Sequence, residues 1–212
     1  MHKVNEISFE TLASADSERF EQLFNIYVES LPSSERKGRH DISAMRVQKG
    51  YKILIASRNN VAVGFSILFT PIEESFCLIE YMAVDPAYRN LGIGRELFRY
   101  SARAGNPTLL LEVDSPRESS GDRQSRERRL AFYRNLGCLR LDALEYLLPL
   151  KSAGRPPAMD LMIHRSDIGQ PIGKTQVEHW LRVLYRSVYG CSPEDSRIDR
   201  MLEPLTDPVS LI

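Results

Sequence analysis

The chain has 212 residues, enough for one well-packed core or for one domain with an appendage. Its 28 Lys and Arg residues balance its 28 Asp and Glu residues, so no net field attracts nucleic acid or an anionic membrane. The three cysteines lie far apart without a Cys-x-x-Cys pair, which argues against a disulfide framework or a zinc site and favours reduced thiols.

The ends of the chain and its apolar runs bear on location. The N-terminus is polar and lacks an apolar signal core, and no stretch approaches the roughly 20 apolar residues of a membrane span. The sequence therefore predicts a cytoplasmic protein with no membrane contact.

Two helices are predicted before the first strand. Residues 17–31 carry apolar side chains at helical spacing, behind a polar capping signal and before Pro32, and predict a core-facing helix. A charged loop then leads to a shorter helix at residues 41–48. Three apolar residues of that helix are available for burial: Ile42, Met45 and Val47.

The middle of the chain reads as strands. Residues 51–57 and 61–69 are β-branched and apolar, and the Arg-Asn-Asn segment between them favours a hairpin turn. Residues 76–84 predict a third antiparallel strand. A short buried strand at 108–113 follows a helix, and a strand, helix, strand order implies a parallel crossover, so the predicted sheet is mixed.

Residues 78–104 contain the most informative motif of the chain, a strand followed by a glycine loop and a helix. An apolar strand stops at Pro86, a glycine loop follows, and apolar side chains then recur at helical spacing. Glycines between a strand and a helix N-terminus let backbone N–H groups approach an anion closely. The dinucleotide fingerprint would need a third glycine where Leu97 stands, and the Gly-Lys-Ser/Thr of a Walker loop is absent.

The order Val84-Asp85-Pro86, then Arg89-x-x-Gly92-x-Gly94, resembles the acyl-CoA pyrophosphate loop of the GNAT superfamily of N-acetyltransferases. The alternative is a tight turn into a core helix. The resemblance implies acetyl-CoA as co-substrate and no metal. It assigns these residues to co-substrate binding: Met82, Ala83, Val84, Arg89, Asn90, Leu91, Gly92, Ile93, Gly94 and Arg95.

The second half of the chain fits the same family. The arginine-rich segment 114–129 has no interleaved aromatic residues, so a nucleic-acid role is not predicted. The Phe-Tyr-x-x-x-Gly run ending at Gly137 is similar to a second GNAT signature.

Residues 138–150 and 159–164 predict two final strands. The segment 151–157 between them is interpreted as a loop in the family pattern or as an interdomain linker.

Three side chains are candidates for catalysis. Glu80 is a carboxylate on an apolar strand, where burial would make it a proton acceptor, and alternation places it on one face with Met82 and Val84. The other interpretation of Glu80 is a structural carboxylate paired with an arginine. Glu112 is the rival base, and the family pattern makes Tyr133 the acid for the leaving thiolate.

The loop after the first helix forms one wall of the acceptor pocket in GNAT enzymes, so Glu35 and Arg36 are substrate candidates. The competing interpretation is a solvated charged loop. Beyond residue 165, a helix at 174–189 carries an apolar stripe, in which Trp180 and Leu184 are expected to be buried against the domain or in a homodimer.

Together these patterns predict an α/β protein with a mixed, mostly antiparallel central sheet flanked by helices. A GNAT domain is expected at residues 1–165, with a C-terminal helical extension at 166–212 packed on it or on a partner subunit. The resemblance implies an acetyl-CoA-dependent N-acetyltransferase, an acyltransferase of groups other than aminoacyl, acting on the primary amine of a small molecule. The alternatives are a peptide or protein lysine acceptor and a catalytically silent acyl-CoA-binding module.

Overall fold

The computed structural model describes residues 7–13, 17–33, 36–118, 123–149, 157–167 and 169–212. The chain divides into two compact units, Met1–Leu109 and Leu110–Ile212. Its strands have the order β1-β2-β3-β4-β5-β7-β6 in one seven-stranded sheet. The pairs whose register is defined, β1–β2, β2–β3, β3–β4 and β6–β7, are antiparallel. The predicted fold class, α/β with a mixed and mostly antiparallel sheet, is confirmed.

The first unit contains the elements that the sequence predicts around the glycine loop, and one more strand. In chain order these are β1 (Ile7–Thr11), α1 (Ser17–Ser30), α2 (Arg39–Ala44), β2 (Tyr51–Arg58), β3 (Val61–Phe69), β4 (Phe76–Val84) and α3 (Ile93–Ala104), followed by the start of β5 (Thr108–Asp114). The additional strand is β1, which pairs with β2.

The hairpin of β2 and β3 follows from its turn. Asn59 and Asn60 both have positive φ angles, 51° and 64°, and asparagine tolerates that conformation better than most residues. Two such residues form the tight turn whose twist matches that of the flanking strands. The hairpin sets the register of β3, which in turn aligns β4.

Apolar clusters cover both faces of this part of the sheet. One face packs against α1, where Phe20, Leu23 and Tyr27 are buried together with Ile53 and Phe65 of the sheet. A second cluster joins Ile93 and Leu97 of α3 to strand residues that include Ala56 and Val63. Helices therefore flank this sheet on both sides, and α3 is held firmly at its first turn.

The second helix is shorter than predicted. It covers Arg39–Ala44, and hydrogen-bonded turns replace the rest of the predicted segment 41–48. Ile42 and Met45 are buried, whereas Val47 is 77% exposed. Burial is therefore found at two of the three apolar positions that predict the longer helix.

The second unit contains the rest of β5 and the C-terminal elements. They are α4 (Arg123–Arg134), β6 (Leu139–Arg140), β7 (Met159–Arg165), α5 (Lys174–Ser187) and α6 (Ser196–Leu202). The strand predicted at 138–150 is wrong beyond its first residues, because Ala143 has a φ of 59° and breaks the extended conformation. The predicted loop 151–157 lies outside the described residues except for Pro157.

The segment 166–212 is an integral part of the second unit. Trp180 and Leu184 of α5 are buried within a single chain, as the apolar stripe predicts, together with Ile198 of α6. The Tyr185 hydroxyl donates to the Leu147 carbonyl, and the Leu147 N–H donates to the Met201 sulfur at 3.2 Å. The three cysteines are free thiols. Within the described ranges, no helix is long and apolar enough to cross a membrane.

Candidate active site

The loop from β4 to α3 is built from local backbone interactions. The Asp85 side chain accepts a hydrogen bond of 2.8 Å from the Ala87 N–H and caps a short turn at Pro86–Tyr88. The Arg89 Nε atom donates to the Val84 carbonyl at 3.3 Å, which folds this side chain back over the strand end. The backbone then takes positive φ angles at Asn90, 65°, and at Gly92, 81°.

Gly92 is the N-cap residue of α3, and its left-handed conformation requires glycine for low strain. A Cβ atom at this position would meet no other atom within 4 Å, so space is open in front of the backbone. The N–H groups of Ile93, Gly94 and Arg95 begin the helix and have no acceptor within it, and the helix dipole adds positive potential there.

Charges around this helix start are positive. Arg89 and Arg95 are exposed, whereas Ile93 is buried and anchors the first turn in the apolar cluster. Glu96, the acidic residue of the first turn, is paired with Arg99 at 2.7 Å. A helix N-terminus with open space and exposed guanidinium groups can bind a phosphate group.

The backbone N–H groups at the end of β4 alternate in direction. The Asp85 N–H donates to the Val63 carbonyl at 2.9 Å, and Ala83 pairs with Phe65 in the same register. Because N–H directions alternate along a strand, the N–H of Ala83 points toward β3, and those of Met82 and Val84 point away from it. Two of the three predicted backbone donors thus share one direction.

Glu80 occupies a β-bulge. Ile67 is opposite Tyr81 and Leu68 is opposite Ile79, so Glu80 is the extra residue on β4. Its side chain is only 5% exposed; one oxygen is ion-paired with the Lys37 ammonium, and the other accepts a hydrogen bond of 2.9 Å from the Tyr51 hydroxyl. The burial that the sequence predicts is present, with a lysine as the charged partner.

The predicted face of Glu80 is wrong. Met82 and Val84 pack with the α3 cluster, whereas Tyr51, a partner of Glu80, packs with the α1 cluster. Strict alternation fails because the bulge inserts one residue and turns the carboxylate to the α1 side. Glu80 therefore shares a face with Tyr81, although alternation predicts opposite faces for these neighbours.

Further polar groups surround Glu80. The Lys37 backbone N–H donates to the Tyr27 hydroxyl at 2.7 Å. Burial raises the pKa of Tyr27, and the charges of Glu80 and Arg36 act on the same phenol in opposite directions. Burial and the nearby Glu80 charge likewise raise the pKa of Tyr51. These phenols remain protonated donors at neutral pH.

The structure places one of the two predicted substrate residues. The Arg36 Nε atom donates to the Leu31 carbonyl at 2.6 Å, and its charge reaches the Tyr27 phenol. Glu35 lies outside the described residues. Sequence reasoning missed Lys37, Tyr27 and Tyr51, since no local pattern links them to Glu80; Lys37 is 43 positions away from it.

Glu112 lies in the second unit and is held by two phenols. The Tyr146 hydroxyl donates to one carboxylate oxygen, and the Tyr189 hydroxyl donates to the other at 2.5 Å. Burial, followed by the charge of Glu112, raises the pKa of Tyr146 far above its ordinary value. Glu112 thus connects β5 to the residues just after α5.

Tyr133 is on α4, also in the second unit, and is 8% exposed. Burial raises its pKa to about 12, against an opposing effect of the Arg129 charge. The helix ends at Arg134, and a turn follows to Gly137, whose φ of 86° suits glycine; the Cys138 N–H donates to the Tyr133 carbonyl at 3.1 Å. Among the described residues, no cluster of His, Cys, Asp or Glu could hold a metal ion.

Comparison with known proteins finds one family model that matches part of the chain. Residues 49–137 match the acetyltransferase (GNAT) domain. No curated protein matches the chain in sequence. A protein assigned to the GNAT family of acetyltransferases in Bacteroides thetaiotaomicron has a similar solved structure, with a TM-score of 0.73, 22% identity and coverage of 87% of this chain and 99% of that chain.

Two further solved structures are similar. A protein from Desulfovibrio desulfuricans assigned to the same family has a TM-score of 0.53 and 20% identity, over 74% of this chain and 96% of its own. The ribosomal-protein-S18-alanine N-acetyltransferase of Escherichia coli has a TM-score of 0.53 and 17% identity, over 74% and 92%. At these identities the likeness establishes the fold alone.

Proposed function

The chain carries an acetyltransferase domain of the GNAT family, and from this premise we propose that it transfers the acetyl group of acetyl-CoA to the primary amine of a small molecule. The family implies acyl-CoA-dependent acetyl transfer, and the amine acceptor is the proposed part. One observation carries it: the buried carboxylate of Glu80 lies on the strand that leads directly into the glycine loop.

The residues of the loop fit acetyl-CoA. The open space at Gly92 would let a pyrophosphate approach the N–H groups of Ile93, Gly94 and Arg95, and the exposed Arg89 and Arg95 would balance its charge. Asn90 and Leu91 shape the turn between these groups. Bound acetyl-CoA would supply the thioester whose acetyl group is transferred. The N–H groups of Met82 and Val84, directed away from β3, are suited to polarise a carbonyl there.

Glu80 is the proposed base. An alkylamine with an ordinary pKa near 10.4 is neutral in roughly one molecule per thousand at neutral pH, so a proton acceptor beside it is useful. Glu80 meets this need on the same strand as Met82. Glu112 is the less favoured base, because it lies on β5 and not on the strand that leads into the glycine loop; its two oxygens accept from the hydroxyls of Tyr146 and Tyr189.

Tyr133 is proposed as the hydrogen-bond donor to the leaving sulfur, because it is the tyrosine of the Phe-Tyr-x-x-x-Gly run that is similar to the second GNAT signature. With a pKa of about 12 it keeps its proton at physiological pH. A thiol has an ordinary pKa near 8.5, well below the raised pKa of this phenol, so full proton transfer from Tyr133 is unfavourable. We therefore propose that Tyr133 stabilises the departing thiolate by a hydrogen bond and that solvent completes its protonation.

The test is an acetyl-CoA turnover screen, read as free thiol release, over a panel of small amines and lysine peptides. We expect turnover with at least one small amine, a loss in Glu80→Gln, and no change in Glu203→Gln, which alters an exposed carboxylate at the end of α6. A preference for the peptides would move the acceptor to protein lysine. Tight acetyl-CoA binding without any turnover would identify a silent binding module.

A further inference from the structure

We infer that the acceptor carries a carboxylate as well as the amine, and that Lys37 selects it by pairing with that carboxylate when the substrate ammonium takes the place of Lys37 at Glu80. The inference rests on the proposed function, because Glu80 must be the group that meets the amine. It adds the class of acceptor, an amino-carboxylate, and a specificity-determining residue that the family pattern does not assign.

The ion pair of Lys37 and Glu80 is placed for such an exchange. The Glu80 side chain is 5% exposed, whereas that of Lys37 is 30% exposed, so the ammonium approaches the carboxylate from the solvent side. The Lys37 backbone is held by the bond of its N–H to the Tyr27 hydroxyl at 2.7 Å. The flexible side chain can therefore swing away from Glu80 while its backbone keeps its place.

The segment that carries Lys37 is rich in cations, of which Arg39 is paired with Glu21. Of the residues from 36 to 49, five carry a positive charge and Asp41 is the only carboxylate: the cations are Arg36, Lys37, Arg39, Arg46 and Lys49. Arg39 and Arg46 stack on the ring of Phe20, with their guanidinium carbons 5.4 Å and 4.5 Å from its centre. Arg36 is close enough for its charge to act on the phenol of Tyr27.

These charges discriminate between amines. A simple alkylamine that binds Glu80 displaces Lys37 and leaves a partly buried ammonium without its counter-ion, and a polyamine adds repulsion from the neighbouring cations. An acceptor that carries both an ammonium and a carboxylate replaces the Lys37–Glu80 ion pair with two, its ammonium with Glu80 and its carboxylate with Lys37. A charge-assisted contact of this kind corresponds to roughly 10–100-fold in affinity.

The chemistry balances within the proposed function. The substrate ammonium gives one proton to Glu80, which passes it to water. The nitrogen then forms the amide C–N bond as the thioester C–S bond breaks, and its second proton is lost to solvent. The sulfur leaves as a thiolate and is protonated by solvent. Lys37 takes no part in these transfers and only positions the carboxylate.

The experiment compares amines of similar basicity that differ in the carboxylate: γ-aminobutyrate with butylamine, β-alanine with propylamine, and L-lysine with cadaverine. Thiol release gives kcat/KM for each. We expect the carboxylate-bearing member of at least one pair to be favoured roughly 10–100-fold. In Lys37→Met this preference should be lost, because kcat/KM falls for the carboxylate-bearing substrate and is unchanged or higher for the simple amine.

Two controls separate specificity from folding. Lys37→Arg keeps the cation and should retain the preference, and Arg186→Met removes an exposed cation from the last turn of α5, outside this segment, and should change nothing. The inference is overturned if the simple amine is equal or better in every pair, or if Lys37→Met slows both members equally with an unchanged thermal melt. Absence of thiol release from every amine would instead overturn the proposed function, and the inference with it.

Discussion

Substitutions at Gly92 allow the effect of backbone strain on stability to be distinguished from the effect of a filled ligand site on affinity. Its φ of 81° disfavours any residue with a Cβ atom, but that atom would meet nothing within 4 Å. Gly92→Ala should therefore destabilise the fold only by the left-handed conformation, about 1–2 kcal/mol. In a domain of this size, that lowers the melting temperature by about 2–4 °C per kcal/mol.

The effect of Gly92→Ala on acetyl-CoA affinity should be larger than the strain alone explains. The Cβ atom enters the space proposed for the pyrophosphate and lengthens its bonds to the first N–H groups of α3. Loss of one charge-assisted hydrogen bond costs about 1.5–3 kcal/mol, or roughly 10–100-fold in Kd. Gly92→Val should weaken binding further because its β-branched side chain fills more of the space.

Gly190 provides the matched control. Its φ is 65°, and a Cβ atom there also meets nothing within 4 Å, but it follows α5 and lies far along the chain from the loop. Gly190→Ala should lower the melting temperature by a similar amount and leave acetyl-CoA affinity unchanged in a calorimetric titration. Wild-type affinity in Gly92→Val would refute the assignment of this loop to the pyrophosphate.

Three other outcomes are expected. Tyr133→Phe should lower turnover roughly 10²–10³-fold with little change in acetyl-CoA affinity, and unaltered turnover would exclude the donor role. Burial in the folded state raises the Tyr133 pKa from 10.0 to about 12. The contribution of the protonated phenol to the free energy of unfolding is therefore complete below pH 10 and declines as the pH rises toward 12. Denaturant unfolding of wild type and Tyr133→Phe over that pH range measures this decline. Glu80→Gln should lower turnover most at low pH and recover partly at high pH, where more amine is neutral, whereas a pH-independent loss would make Glu80 structural and favour Glu112. Trp180→Ala should cost about 3–5 kcal/mol of unfolding free energy, and the exposed Gln176→Ala almost nothing.

The features that sequence predicts well here are local ones. The hairpin turn, β4 and α3 each depend on residues within a few positions of one another, and the bounds of β4 agree with the prediction at Phe76–Val84. The loop proposed to bind the pyrophosphate is also a contiguous motif, so its position between β4 and α3 could be predicted. β1 escaped prediction because it has only five residues and two of its side chains are just partly buried.

The partners of Glu80 could not be predicted, because they come from distant parts of the chain. Tyr51 is 29 positions away and is brought to Glu80 by the antiparallel pairing of three strands. Lys37 comes from the segment after α1, where it is one of several adjacent charges in the sequence. Composition predicts a charged loop there, and only packing decides which charge reaches the sheet.

The bulge at Glu80 shows why strict alternation fails within β4. Without the extra residue, alternation would place the carboxylate under α3, beside Ile93 and Leu97, where an unpaired charge is costly to bury. The bulge turns Glu80 toward Lys37 and Tyr51, and regular register resumes from Tyr81, so Met82 and Val84 keep their N–H groups directed away from β3. The proposed base and the proposed carbonyl-binding donors are therefore aligned by one strand irregularity, which a strict period of two in the sequence cannot indicate.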